Sequence, residues 1–220
     1  MKYLGIDIGG MNKTYICTLQ QTGKTLSIES LERATLQRAY KLAINAKSVA
    51  IDAQLTFDIN CENGFRGSDD CLREYIEQYD GNQAWVASYN SLMAVPIRGK
   101  ILFDELIQSG KDIKVYETHP RANLLFKLPD LIDDIISYKG RNEQAIHSIN
   151  TLKENWLNAF NIVGPQELLN NINNDGLDAL VCATIAYLAT IKDTVANLTR
   201  DNGNRELGDF LVIKPPNPAE

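Results

Sequence analysis

Tyr3-Leu4-Gly5-Ile6-Asp7-Ile8-Gly9-Gly10 is the stretch from which the fold is read. A β-prone run reaches an aspartate and is then halted by two glycines, so a short strand ends on an acid at a turn. Outward from it, Thr14-Tyr15-Ile16-Cys17-Thr18-Leu19 alternates as a half-buried strand does, and Gln21-Thr22-Gly23-Lys24 supplies the turn into a second arm over 25–31. Between 35 and 46 the apolar positions Leu36, Ala39, Tyr40, Ala43 and Ile44 recur at helical spacing. Ser48-Val49-Ala50-Ile51-Asp52-Ala53 is a further strand that ends in an acid, and Asp112-Ile113-Lys114-Val115-Tyr116-Glu117 repeats the pattern before Pro120. Strand, hairpin, helix and strand in that order predict an α/β protein. In an open α/β sheet ligands bind at the C-terminal strand ends, where Asp7, Asp52 and Glu117 fall.

The remaining chain is read more coarsely. Residues 57–70 are polar and contain glycine, so they predict a loop, with a short helix after it over 71–79. Residues 84–89 fit either a strand or irregular structure, and 101–109 fit a helix that Gly110 terminates. Helices are expected over 123–126, 131–137, 142–160 and 166–171. A long buried helix is expected over 176–198, because Leu177, Leu180, Val181, Thr184, Ile185 and Leu188 make a broad apolar stripe. A terminal strand over 210–213 precedes Pro215-Pro216. With no repeat, low-complexity tract or linker, the expectation is one domain over 1–214 and a flexible tail over 215–220.

Composition narrows the function classes. The 220 residues are 44% hydrophobic with 14 Gly and 7 Pro, which excludes disorder, collagen-like repeats and disulfide scaffolds. No apolar run approaches the roughly 20 residues that cross a bilayer, and Asp7 comes too early for a signal peptide. The expectation is a cytoplasmic protein that does not engage membranes, with a homodimer left open. Lys and Arg total 22 against 28 Asp and Glu, a net charge of −6. Nucleic-acid coating proteins carry the opposite sign, so any such contact must be local. The four cysteines show no CxxC spacing and only two His exist, so reduced thiols are expected rather than a zinc site.

Acidic residues carry the chemical signal. Asp175 and Asp178 open the long apolar helix at i, i+3 spacing, which lets both face one side. Asp175 fits a cap. Asp178 lies among Leu177, Ala179 and Leu180, where an unpaired carboxylate is costly. Taken singly, each acid is explained by a cap or a salt bridge. Taken together, carboxylates converging from separate strands repel unless a hard cation neutralises them. Mg²⁺ or Mn²⁺ suits oxygen ligands of this kind, and two such ions about 4 Å apart stabilise the attacking and leaving oxygens of a phosphodiester displacement.

The ordered pieces carry a family resemblance. Gly5 to Gly10, Ala50-Ile51-Asp52-Ala53-Gln54-Leu55, Arg66-Gly67-Ser68-Asp69 with Leu72-Arg73, Tyr116-Glu117-Thr118-His119-Pro120 and Asp175-Gly176-Leu177-Asp178-Ala179-Leu180 span most of the chain. In that order they resemble the predicted nucleases of domain-of-unknown-function family 429, within the RNase H-like fold. The resemblance implies a mixed five-stranded sheet of order 3-2-1-4-5 with strand 2 antiparallel, flanked by helices and carrying a helical insertion. It also implies metal-dependent cleavage of nucleic acid, DNA or RNA. Gln54 stands where the family usually has proline, and Asn174 where a second acid is common. Carried over, Asp7, Asp52, Glu117 and Asp178 are the catalytic set, and these four with Asp175 are the metal ligands for Mg²⁺ or Mn²⁺. Lys139-Gly140-Arg141 after the Val115 to Pro120 segment is similar to a Holliday-junction resolvase.

Several residues read two ways. Arg66 and Arg73 capture phosphate on the functional reading, whereas Asp69 and Arg73 form an intrahelical ion pair on the plain one. Lys139 and Arg141 either hold a phosphate backbone or make a solvated basic turn. His119 is a general acid–base or a structural residue, and Trp85 and Trp156 are read as packing residues. Gly5 to Thr14 also resembles the first phosphate segment of actin-like sugar kinases, although 220 residues hold one copy of a fold those kinases need twice. The third alternative is a non-catalytic RNase H-like binding module.

Overall fold

Alternation along the first strand sets the architecture. The computed structural model describes residues 1–10, 13–57, 64–92, 94–199 and 209–215. Strands β1 (Lys2–Asp7), β2 (Thr14–Thr22) and β3 (Thr25–Ala34) form a meander, followed by α1 (Leu36–Ala43) and β4 (Ser48–Asp52). Next come α2 (Gly67–Gln78), a 3-10 turn at Gln83–Trp85, α3 (Ala94–Gln108) and β5 (Lys114–Glu117). The helical region holds α4 (Pro120–Lys127), α5 (Ile132–Ser137) and α6 (Glu143–Ala159), then β6 (Ile162–Val163), α7 (Gln166–Asn170) and α8 (Asn174–Leu188). Strands β7 (Val195–Asn197) and β8 (Asp209–Ile213) follow.

Among the described residues the sheet has eight strands in the order β6-β3-β2-β1-β4-β5-β8-β7, which corrects the expected five. Strand β2 runs antiparallel to β1 and β3, and β7 antiparallel to β8; the other pairings are parallel. Strand β6 leaves no trace in the sequence pattern because two residues are too few for a period-2 signal. Strand β7 lies in what reads as the end of a helix over 176–198, yet α8 stops at Leu188. There the Thr194 hydroxyl donates to the Leu188 carbonyl at 2.7 Å, and Asp193 takes a left-handed φ of 64° that turns the chain back. Residues 84–89 form no strand, and α2 and α3 begin earlier than their apolar periodicity suggests. The tail expected over 215–220 lies, from residue 216, outside the described residues.

Leu4 and Ile6 share one sheet face with Val49 and Ile51, and there they meet Ala39 and Ala43 of α1 and Leu102, Phe103 and Leu106 of α3. The opposite face carries Tyr3, Cys17, Leu19 and Ala50, packed with α4, α6 and above all α8. Helix α8 is buried almost all round, as a helix between a sheet and an outer helical layer must be. It lies directly on the backbone of β1 at Gly5. A Cβ at Gly5 would come within 2.0 Å of the Ala179 carbonyl oxygen and 2.1 Å of the Ala183 nitrogen. Only glycine permits this approach, and it brings the first turns of α8 over the C-terminal end of β1. The Asn173 side chain caps α8 by accepting from the Gly176 N–H at 2.8 Å, a role the sequence suggested for Asp175. No helix among the described residues is long and apolar enough to cross a membrane.

Candidate metal centre

Strand register supplies two acids and α8 the third. Asp7 and Asp52 are register partners across the parallel β1–β4 pair, and period-2 alternation puts them on the same face as Gly5 and Ala50. That face lies under α8, which presents Asp178. One carboxylate oxygen from each of Asp7, Asp52 and Asp178 lies within 4.8 Å of the others. Asp7 is 8% exposed and Asp178 is fully buried.

Both oxygens of Asp178 are engaged. The Tyr138 hydroxyl donates to Oδ1 at 2.9 Å, and the Lys139 ammonium is paired with Oδ2. Burial, reinforced by repulsion from Asp178, pushes the Asp52 carboxyl up to about 8. Burial, then Asp178 and Asp52, raises the Asp7 carboxyl well above the usual range. For Lys139 burial favours the neutral amine, but the Asp178 carboxylate outweighs it and holds the proton on. Three carboxyls therefore face one ammonium, and Asp7 and Asp52 hold their protons far more tightly than free carboxyls do; a further cation would let all three ionise. The donor set fits a divalent ion: hard-cation bonds to oxygen of about 2.0–2.6 Å reach three oxygens with this spacing.

Glu117 and Asp175 lie outside this group. Glu117 is register partner of Ile51, not of Asp52, so parity turns it toward the opposite face. There Arg66 donates to both its oxygens, at 2.8 and 2.5 Å, and the Leu55 N–H adds a third bond at 2.9 Å. Asp175 is partly buried in the first turn of α8 and is not one of the three clustered carboxylates.

Among the cations read as phosphate ligands, Arg66 is buried and also donates to Asp69 from Nε at 2.9 Å and from Nη2 at 2.7 Å. Because Asp69 turns to Arg66, the Asp69–Arg73 pair suggested by helical spacing is replaced by an Arg66–Asp69 pair. Arg73 instead lies over the Phe65 ring at 4.3 Å and reaches Gln83 Oε1 at 3.4 Å. Lys139 belongs to the acid cluster, and Arg141 is exposed outside the neighbouring cleft. His119 Nδ1 accepts the Ala122 N–H at 3.2 Å to cap α4. Its Nε2 must then carry the proton that it donates to the Trp85 carbonyl at 3.1 Å. Burial holds this imidazole neutral, so the histidine is structural. Trp156 is core, donating to Thr184 Oγ1 at 3.0 Å. Cys17, Cys71 and Cys182 are buried free thiols, and Cys61 lies outside the described residues.

A cleft of about 250 Å³ adjoins the acids. Asp52, Asp178 and Lys139 form part of its lining, and Gln54, Trp85 and Arg121 another part. Comparison with protein-family models, curated proteins and solved structures finds no match to this chain. Tyr138 and Arg121 were not singled out from sequence. The available signal was position: Tyr138 precedes Lys139, and Arg121 follows the strand-ending Glu117-Thr118-His119-Pro120 segment.

Proposed function

We propose that this chain is a metal-dependent nuclease of the RNase H-like type, related to domain-of-unknown-function family 429, that hydrolyses phosphodiester bonds in nucleic acid in the cytoplasm. The observation that carries the reading is the gathering of Asp7, Asp52 and Asp178 carboxylates within 4.8 Å. The run β3-β2-β1-β4-β5 at the centre of the sheet, with β2 antiparallel, supports the fold assignment. Asp7, Asp52 and Asp178 would hold Mg²⁺ or Mn²⁺. When bound, such an ion supplies an activated water and stabilises charge on the phosphate oxygens. Tyr138 fixes the orientation of Asp178 through its hydroxyl. Lys139 offsets part of the negative charge that would otherwise repel a polyanion, and its half-exposed chain leaves it free to follow an incoming phosphate. Glu117 is reserved for Arg66 and His119 for the backbone, so neither serves as the proton acceptor.

One observation favours a non-catalytic binding module instead: an ammonium already neutralises Asp178. Calorimetric titration with Mn²⁺ separates the two. Wild type is expected to bind Mn²⁺ and to cut at least one of branched, flapped, hybrid or single-stranded substrates. Asp7→Asn should weaken Mn²⁺ binding by about 100-fold, since removing a ligand costs at least what removing its supporting partner does. Undiminished Mn²⁺ binding by Asp7→Asn overturns the proposal.

A further inference from the structure

We infer that the cleft beside the acids is a pocket for a single unpaired nucleotide, with Arg121 as its phosphate anchor and Gln54 as the acceptor for its base. The inference rests on the nuclease reading and names the substrate form that site takes. The Arg121 guanidinium lies over the Trp85 ring at 4.7 Å and over the Tyr138 ring at 5.2 Å. One terminal nitrogen donates to the Ile136 carbonyl at 3.2 Å, while the buried Nε has no partner among the described residues. A guanidinium held by two rings has lost its rotational freedom before any ligand arrives, and its in-plane donors match phosphate oxygens.

Gln54 shows the complementary vacancy. Its Nε2 donates to the Ala87 carbonyl at 3.1 Å, and its buried Oε1 has no partner among the described residues. Buried polar atoms in folded proteins are nearly always paired. Two unpaired ones of opposite type, on residues lining one cleft, call for a ligand that both accepts from Arg121 and donates to Gln54. A nucleotide does both, through its phosphate oxygens and the N–H groups of its base. At about 250 Å³ the space lies just below the roughly 300–1,000 Å³ of ligand pockets, so it admits one nucleotide at most and excludes a paired duplex. The acids at the other part of the lining then meet the phosphodiester of a frayed or single-stranded end.

The test is calorimetric titration of the full chain, in EDTA, with AMP, CMP, GMP and UMP and separately with inorganic phosphate. At least one nucleotide should bind about ten-fold tighter than phosphate. Arg121→Gln should weaken it by about ten-fold, and Gln54→Leu should weaken it or level the differences between bases. If Arg121→Gln loses its near-ultraviolet circular dichroism, Gln54→Leu decides alone. Nucleotides no tighter than phosphate, or wild-type binding by the folded variants, overturn the inference. A parallel Mn²⁺ titration keeps the two readings apart. Mn²⁺ binding without nucleotide binding defeats the pocket only, and nucleotide binding without Mn²⁺ binding defeats the metal centre only.

Discussion

Two buried ionic clusters sit at the same end of the sheet and border one cleft, and they differ in how their charge is balanced. Arg66 answers Glu117 and Asp69 with geometrically matched donors at 2.5–2.9 Å, and the Leu55 N–H takes up another lone pair. Across the sheet, Asp7, Asp52 and Asp178 share one flexible ammonium from Lys139. The first cluster is a structural knot, in which the guanidinium stays protonated: burial alone would disfavour the charge, and Glu117 more than reverses it. The second has one ammonium for three carboxyls, and it keeps protons that a divalent ion would displace. Neighbouring carboxylates of one sheet thus divide into a structural pair and a candidate ligand set according to which cations reach them.

Breaking the knot should have the largest effect. Arg66→Met leaves Glu117 and Asp69 buried without their cation and should cost about 3–5 kcal/mol in urea denaturation, with or without Mn²⁺. A loss below 1 kcal/mol would mean that the knot does not hold the strand ends together. Lys139→Gln sharpens the contrast from the other side. Without metal it should cost about 1–2 kcal/mol, because Asp178 loses a charged partner, while Mn²⁺ should bind more tightly and restore stability. A variant whose stability ignores Mn²⁺ would remove the distinction between the clusters.

The third effect is a pH dependence. Asp52 has a folded-state pKa of about 8 against an unfolded value of about 3.9. Between these values the native state keeps a proton that the unfolded chain has released. By linkage, metal-free stability is greatest below the unfolded value and declines as pH rises to about 8. Asp52→Asn should flatten that slope, and Mn²⁺ should oppose it, because ligation releases the proton. Urea midpoints from pH 5 to 8 measure this; a slope unchanged by Asp52→Asn would contradict it.

Much of the centre was legible in the chain because two short-range rules suffice for it. Strands that end on Asp7 and Asp52 read directly from their alternation, and Asp178 stood out as an acid on an apolar background. Glu117 shows where such reading stops. Its strand ends on an acid like the others, but the register that pairs it with Ile51 rather than Asp52 is a property of the assembled sheet. Arg66 was read as a phosphate ligand because nothing local shows that Glu117, 51 residues on, is its partner. Strands β6 and β7 were hidden for a different reason: both are too short to show a period and are defined by their neighbours.

The seam at Gly5 gives the centre its gauge. Since α8 rests on main chain there, the spacing between Asp7 and Asp178 is set by atoms that have no rotamers to relax. Any side chain wedged into that seam would lever the helix off the strand and spread the two carboxylates in one movement. The separation of the two carboxylates is therefore set two residues before Asp7, at a position whose own side chain is a single hydrogen.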